Sequence, residues 1–295
     1  MKIVSVINYK GGVGKTTITA NLAAEMAYRG KKVLVFDLDP QTNLTFSFLR
    51  VDEWSKKFEK DKTIKFWFDS IIDGKRDIPS FNDLIVSKDK IDIICSHLGL
   101  IDVDIELAAG LSSGTERQHR INYIKTYSYI KNELQSLNKH YDVILFDCPP
   151  NFGIVTKNAL IASDYYIVPA KMDYLSTLGI NYLRNHVNRL VKDYNSYVEN
   201  FAEKINPQFL GVIATMITIR NGEPITSQKA YIEELLRNNI TIFDNMTRLN
   251  NTVYASAPQY GTPVVRHFHP SGLTYDNIVH ELENLTTEFM NKAGI

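Results

Sequence analysis

The sequence predicts an α/β protein built on a single doubly wound, mostly parallel sheet with helices on both faces. Three observations carry this. Apolar runs of strand length alternate with longer segments of helical periodicity. The strand runs are apolar at successive positions, as in parallel strands covered on both sides. The first of them leads directly into Asn8-Tyr9-Lys10-Gly11-Gly12-Val13-Gly14-Lys15-Thr16-Thr17, a glycine-rich turn that opens a helix.

Taken in order, Ile3-Val4-Ser5-Val6-Ile7 reads as a buried strand. A helix should follow from about Lys15 to Arg29, with Ile18, Leu22, Ala23, Met26 and Ala27 on one face and Gly30 ending it in a left-handed cap. Lys32-Val33-Leu34-Val35-Phe36-Asp37 is the second strand. Residues 50–90 are the most charged part, mixed in sign, and hold both tryptophans, Trp54 and Trp67. Ile64, Phe68, Ile71 and Ile72 predict a short amphipathic helix there, ending near Gly74. No Pro/Gly/Ser linker flanks this stretch, so it reads as an excursion within one domain spanning 1–295. Further strands are expected at Ile91–Cys95, Tyr141–Phe146, Tyr165–Pro169, Phe209–Met216 and Ile240–Phe243. Helices are expected over 115–139, Leu175–Tyr194, Thr226–Asn238 and about Tyr275–Lys292.

Composition narrows the functional classes. Of 295 residues, 44% are hydrophobic and 22% charged, an ordinary globular balance. Lys+Arg and Asp+Glu both number 33, so no global field draws the chain to nucleic acid or membrane, and any such binding must use a local patch. Cys95 and Cys148 each lie in an apolar segment and read as buried thiols, not a disulfide framework. Lys10 and Gly11 interrupt the first apolar run too early for a signal peptide, and no run approaches the ~20 residues of a membrane span. A cytoplasmic location is expected.

The turn at 8–17 is an anion site by construction. Backbone N–H groups of Gly11, Gly12, Val13, Gly14 and the first helical residues point inward, and the helix dipole favours phosphate. In such a loop the lysine, here Lys15, reaches the β/γ-phosphates and the hydroxyl of Thr16 reaches Mg²⁺. Tyr9 stands where the generic pattern has glycine, and a second lysine, Lys10, precedes Gly11-Gly12. Asp37 and Asp39 end the second strand, and Asp147 ends the strand at Tyr141–Phe146. Carboxylates at the carboxyl ends of strands beside a phosphate loop suit ligand or Mg²⁺ binding. Turn formation and helix capping are the alternative for each.

The run Tyr9–Thr17, the run Asp37-Leu38-Asp39-Pro40-Gln41-Thr42-Asn43 and the run Phe146-Asp147-Cys148-Pro149-Pro150 together resemble the ParA/Soj partition ATPases, the deviant Walker A group of P-loop NTPases related to MinD. Ile94–Leu100, Glu106-Leu107-Ala108 and Ala257–Val264 are similar to further family segments, so the resemblance covers nearly the whole chain. It implies ATP and Mg²⁺ as cofactors and slow ATP hydrolysis. Lys15 and Lys10–Thr17 would bind nucleotide, Thr16, Asp39 and Asp147 would serve the metal, and Asp39 would help to position the attacking water. Lys10 would be the signature lysine that reaches the partner's phosphates in an ATP-sandwich homodimer. The resemblance also implies non-specific binding of double-stranded DNA by the dimer, nucleoid association, and release when a ParB-like centromere-binding protein stimulates hydrolysis. Arg220 falls where such proteins carry a DNA-contacting arginine, and Arg248 lies close to another such position. The family often has Ile-Pro-Arg-Asn where this chain reads Thr247-Arg248-Leu249-Asn250-Asn251, which leaves the adenine pocket unassigned. So short a segment before Lys10 leaves no room for the N-terminal helix-turn-helix domain of larger relatives. The competing readings are a MinD-like membrane ATPase and a scaffold-type nucleotide switch for positioning or secretion without DNA binding. The acidic polar positions of 281–290 disfavour the first.

Overall fold

The computed structural model describes residues 1–111, 115–198, 203–266 and 272–295. Its strands are β1 (Lys2–Val6), β2 (Val33–Asp37), β3 (Val86–Lys88), β4 (Ile91–Ile94), β5 (Val143–Asp147), β6 (Tyr165–Lys171), β7 (Gln208–Thr215), β8 (Ile219–Arg220) and β9 (Glu223–Pro224). Its helices are α1 (Lys15–Tyr28), α2 (Asn43–Phe48), α3 (Val51–Lys57), α4 (Ile64–Ile72), α5 (Phe81–Leu84), α6 (Leu100–Ala109), α7 (Glu116–Tyr127), α8 (Tyr129–Glu133), α9 (Ile154–Ala162), α10 (Tyr174–Val198), α11 (Thr226–Arg237), α12 (Asn251–Tyr260) and α13 (Leu273–Ala293).

Seven strands form one sheet in the order β3-β4-β2-β5-β1-β6-β7. All neighbours run parallel except the edge pair β3–β4. β5 shows why the strand runs are apolar at every position. Ile144 and Phe146 enter one core with Trp67, Leu107, Leu160 and Leu183. Val143 and Leu145 enter the other with Leu22, Met26, Leu282 and Phe289. Each such side chain contributes roughly 1.5–3 kcal/mol on burial, so neither face tolerates a polar residue cheaply. The excursion at 50–90 is held by both cores. Trp54 joins the face of α1, while Trp67, Phe68, Phe81 and Leu84 join the opposite one.

Two expectations are corrected. The helix expected over 115–139 breaks at Ser128 into α7, α8 and a 3-10 turn at Leu134–Ser136. Asn158 of α9 causes the break. Its Nδ2 donates to the Thr126 carbonyl at 2.8 Å, and its Oδ1 accepts from Ile130 N–H at 3.2 Å. These are the two groups a continuous helix would pair with each other. The strand expected at Ile240–Phe243 is a single bridge, Val212 to Ile242. Beyond it the backbone N–H groups of Asp244 and Asn245 are taken at 2.9 Å by the Glu288 carboxylate of α13, so the pairing is interrupted until Thr247 N–H donates to the Ala214 carbonyl at 3.0 Å.

The other expected helices, α1, α4, α10, α11 and α13, follow the sequence reading closely, whereas α2, α3, α5, α6, α9 and α12 have no counterpart in it. Among the described residues no helix is long and apolar enough to cross a membrane. α13 buries its apolar face, Ile278, Leu282, Leu285 and Phe289, in the same core as α1.

Candidate functional site

The sheet register sets the site. Val6, Asp147 and Asp37 stand in one row across β1, β5 and β2, so the carboxyl ends of these strands meet at one edge. In open α/β sheets this edge is where ligands bind. The loop after β1 is shaped by Asn8, whose Nδ2 donates to the Pro169 carbonyl at 2.8 Å while its Oδ1 accepts from Lys10 N–H at 2.9 Å. Gly12 (φ +65) and Gly14 (φ +87) take left-handed backbone that a side chain would strain. Thr215, at the end of β7, donates its hydroxyl to the Val13 carbonyl at 2.8 Å and pins the loop from the other side.

A cavity of about 370 Å³ opens on this loop, lined by Gly11 to Thr17, Asp39, Gln41, Asn43, Pro150, Met216 and Tyr254 among others. A smaller one of about 60 Å³ shares Gly14, Thr17, Met216 and Tyr254 with it and is walled by Thr247 to Asn251. The segment that departs from the family pattern therefore lines the far end of the same site. Larger concavities along α7 and at the opposite end of the sheet have no glycine in their lining.

The charges converge as the motifs suggest. Lys15 is buried, and among the described residues its Nζ reaches only the Asn8 and Lys10 carbonyls, at 3.3 and 3.4 Å. Burial lowers its pKa, against the pull of Asp147 and Asp39. A buried ammonium with no ion pair is suited to an incoming anion. Thr16 donates its hydroxyl to Asp147 Oδ2 at 2.7 Å, and Thr19 donates to the other oxygen at 3.3 Å. Burial pushes Asp147 up to about 7, against the Thr16 hydrogen bond and the Lys15 charge. Asp39 lines the cavity, with one oxygen accepting from Gln41 N–H at 3.0 Å. Asp37 is a structural group. It accepts from Asp39 N–H at 3.2 Å and from both the N–H and hydroxyl of Thr45 at 2.7 Å, which fixes the turn between β2 and α2. Burial and the neighbouring Asp147 raise its pKa well above the carboxylate range.

These residues fit Mg²⁺. Among the described residues no group of three or more His, Cys, Asp or Glu forms an all-protein cage. Mg²⁺ at a phosphate loop needs none, because it takes one or two protein oxygens plus phosphates and water. Burial raises the pKa of Asp147 and Asp37, and a divalent ion there would favour their charged forms.

Lys10 is set apart from this cluster. Its side chain runs to Asp173, just before α10, at 2.8 Å to Oδ2 and 3.1 Å to Oδ1, with Ser176 Oγ at 3.3 Å. Tyr9 likewise meets α10, by a hydrogen bond and an edge contact to His186, and it packs edge-on against Phe152, just before α9. The two candidate arginines differ. Arg220 is exposed on the β8–β9 hairpin, whose turn is Asn221-Gly222. Arg248 is bound to Glu281 of α13, Nε to Oε1 at 2.8 Å and Nη2 to Oε1 at 2.6 Å. Glu281 thus already neutralises its charge in part. Met216, Tyr254 and Asp173 carry no motif and were not expected at the site; only the fold brings them there.

Comparison with known proteins agrees with this geometry. A family model described as an AAA domain matches residues 1–200. The chain is 30% identical over 267 residues to the sporulation initiation inhibitor protein Soj of Bacillus subtilis, covering 90% of each chain. Among solved structures it resembles apo McdA from Cyanothece, with a TM-score of 0.75 and 19% identity, over 98% of this chain and 99% of that one. It also resembles a plasmid partition protein from Borrelia burgdorferi bound to AMPPNP, with a TM-score of 0.69 and 19% identity, over 99% of each.

Proposed function

Because this chain belongs to the ParA/Soj family of ATPases, we propose that it is a partition-type nucleotide switch, in which ATP binding assembles a homodimer that holds DNA non-specifically and hydrolysis releases it. The observation that carries this reading is the division of labour between two lysines in one loop. Lys15 is buried at the phosphate cradle, whereas the Lys10 side chain leaves the cavity and, among the described residues, bonds to Asp173 and Ser176.

In this reading the loop N–H groups and Lys15 bind the triphosphate and neutralise charge as it builds on the γ-phosphate. Thr16 and Asp147 would hold Mg²⁺, which would supply positive charge to the triphosphate. Asp39 orients the water that attacks the γ-phosphorus and accepts a hydrogen bond from it. Lys10 crosses the dimer to the partner's phosphates, much as an arginine finger acts in trans. Two triphosphates facing each other repel, so those cations are what make the dimer favourable. Arg220, on its exposed hairpin, contacts DNA phosphates, and a patch too weak in one subunit is doubled in the dimer. A ParB-like centromere-binding partner stimulates hydrolysis, and the ATP form resides on the nucleoid. α13, with its apolar face already covered, offers no membrane anchor.

The test is a gel shift on a non-specific duplex with ATP, ADP or no nucleotide, across a salt titration. Binding with ATP alone, falling steeply as salt rises through counterion release, is expected. DNA binding without nucleotide would contradict the switch. No binding with ATP at low salt would favour the scaffold-type reading.

A further inference from the structure

Asp173 is bound by Lys10 and by the helix it precedes. One oxygen, Oδ1, accepts from Lys10 Nζ at 3.1 Å and from Ser176 N–H at 2.9 Å, so the carboxylate caps the first turn of α10. The other, Oδ2, lies 2.8 Å from Lys10 Nζ. Burial would raise the Asp173 pKa, but hydrogen bonds from Lys10 and Ser176 and the Lys10 charge outweigh it and hold the carboxyl below its ordinary range. The next residues of α10, Tyr174, Leu175 and Leu178, are apolar and exposed (61%, 69% and 43%). An apolar face beside the nucleotide loop is one that a second copy of the chain would cover.

We propose that Asp173 is a positioning residue that parks Lys10 in the monomer and competes with the partner's phosphates for it. The proposal rests on the in-trans role of Lys10 given above. Dimerisation then exchanges one charge partner for another. Lys10 leaves a carboxylate for a triphosphate of higher charge, and Asp173 keeps Ser176 N–H and the helix dipole as partners when the lysine goes. The exchange sets a threshold. Without a triphosphate opposite it, Lys10 stays on Asp173, and an empty or ADP-bound subunit gains nothing by pairing.

The pair is partly exposed, with side chains 38% and 42% accessible. Each latch is therefore worth about fivefold in an equilibrium constant at most. Two break per dimer, so removing both should tighten the dimer roughly tenfold. Asp173→Asn and Asp173→Ser are suitable variants, because both remove the charge yet remain good helix caps.

The experiment is sedimentation of the full chain with a non-hydrolysable ATP analogue over a range of protein concentrations, for the parent, both Asp173 variants, Lys10→Ala and Lys10→Ala/Asp173→Asn. The expected result is a roughly tenfold lower dimer dissociation constant for both Asp173 variants, and no dimer for either protein lacking Lys10. A gain of this kind is not what loss of a merely structural contact produces. If Lys10→Ala fails to dimerise while both Asp173 variants match or fall below the parent, the latch is wrong and the in-trans role stands. If Asp173→Asn tightens the dimer even without Lys10, Asp173 does not act through it and the proposal fails. If Lys10→Ala dimerises normally, the in-trans role fails and the latch with it.

Discussion

Asp39 separates binding from turnover at the level of one residue. Its side chain faces the cavity, but it is not part of the glycine cradle that grips phosphate. Asp39→Ala is expected to keep ATP binding and to lose about a hundredfold in hydrolysis, the usual cost of removing a group that orients a reactant. Fluorescent-nucleotide titration alongside steady-state phosphate release checks both halves, and parent-rate turnover would remove Asp39 from the mechanism. Of the residues with motif signals, Lys15, Thr16 and Asp39 line one cavity, and Asp147 lies buried beneath it, bonded to Thr16. A run of a few residues that must bind phosphate constrains its own spelling, which is why they could be read. Asp173 could not, because its partner lies 163 residues away and a lone aspartate before a helix looks like any other cap. Asp37 shows the reverse. It shares the strand end with Asp39, yet Thr45 claims it for the turn.

At the scale of elements, polar side chains from neighbouring helices decide where helices and strands stop, and periodicity does not report them. Asn158 cuts the helix expected over 115–139, and Glu288 captures the backbone after Phe243. The small edge strand β3 was missed for a related reason: three residues give no usable period. It is held by Asp92 of β4, which is buried and accepts from Ser87 of β3 at 2.5 Å, from Lys139 at 2.6 Å and from Tyr141 at 2.6 Å. Burial alone would raise the Asp92 pKa; the bonds from Lys139, Ser87 and Tyr141 and the Lys139 charge reverse this and lower it. A carboxylate whose folded pKa is depressed stabilises the fold above its unfolded pKa of about 3.9, and that contribution fades as pH falls through the folded value. Asp92→Asn should therefore cost about 1–3 kcal/mol near neutral pH and progressively less below about pH 4. Urea midpoints of parent and variant from pH 7 to pH 3 measure this. A difference that stays constant across that range would mean the network is not acting through the Asp92 charge.

For the whole molecule, the sheet order brings the loop after β1, the ends of β2 and β5 and the end of β7 to one edge, and α10 starts beside them. Alternating apolar and helical segments were enough to predict that architecture, because a parallel sheet needs both faces covered at every strand. What they could not predict is which surface stays open. Tyr174, Leu175, Leu178 and Tyr182 remain exposed along one helix next to Lys10. In the dimer proposed above, a second copy of the chain would complete this open edge, and Lys10 would be spent there and not in its own subunit. Sedimentation velocity of the parent and of Lys10→Ala, each with Mg²⁺ and a non-hydrolysable ATP analogue, tests it most directly. The account predicts a dimer for the parent and a folded monomer that still binds the analogue for Lys10→Ala; an analogue-dependent dimer of Lys10→Ala at the parent's concentration would contradict it.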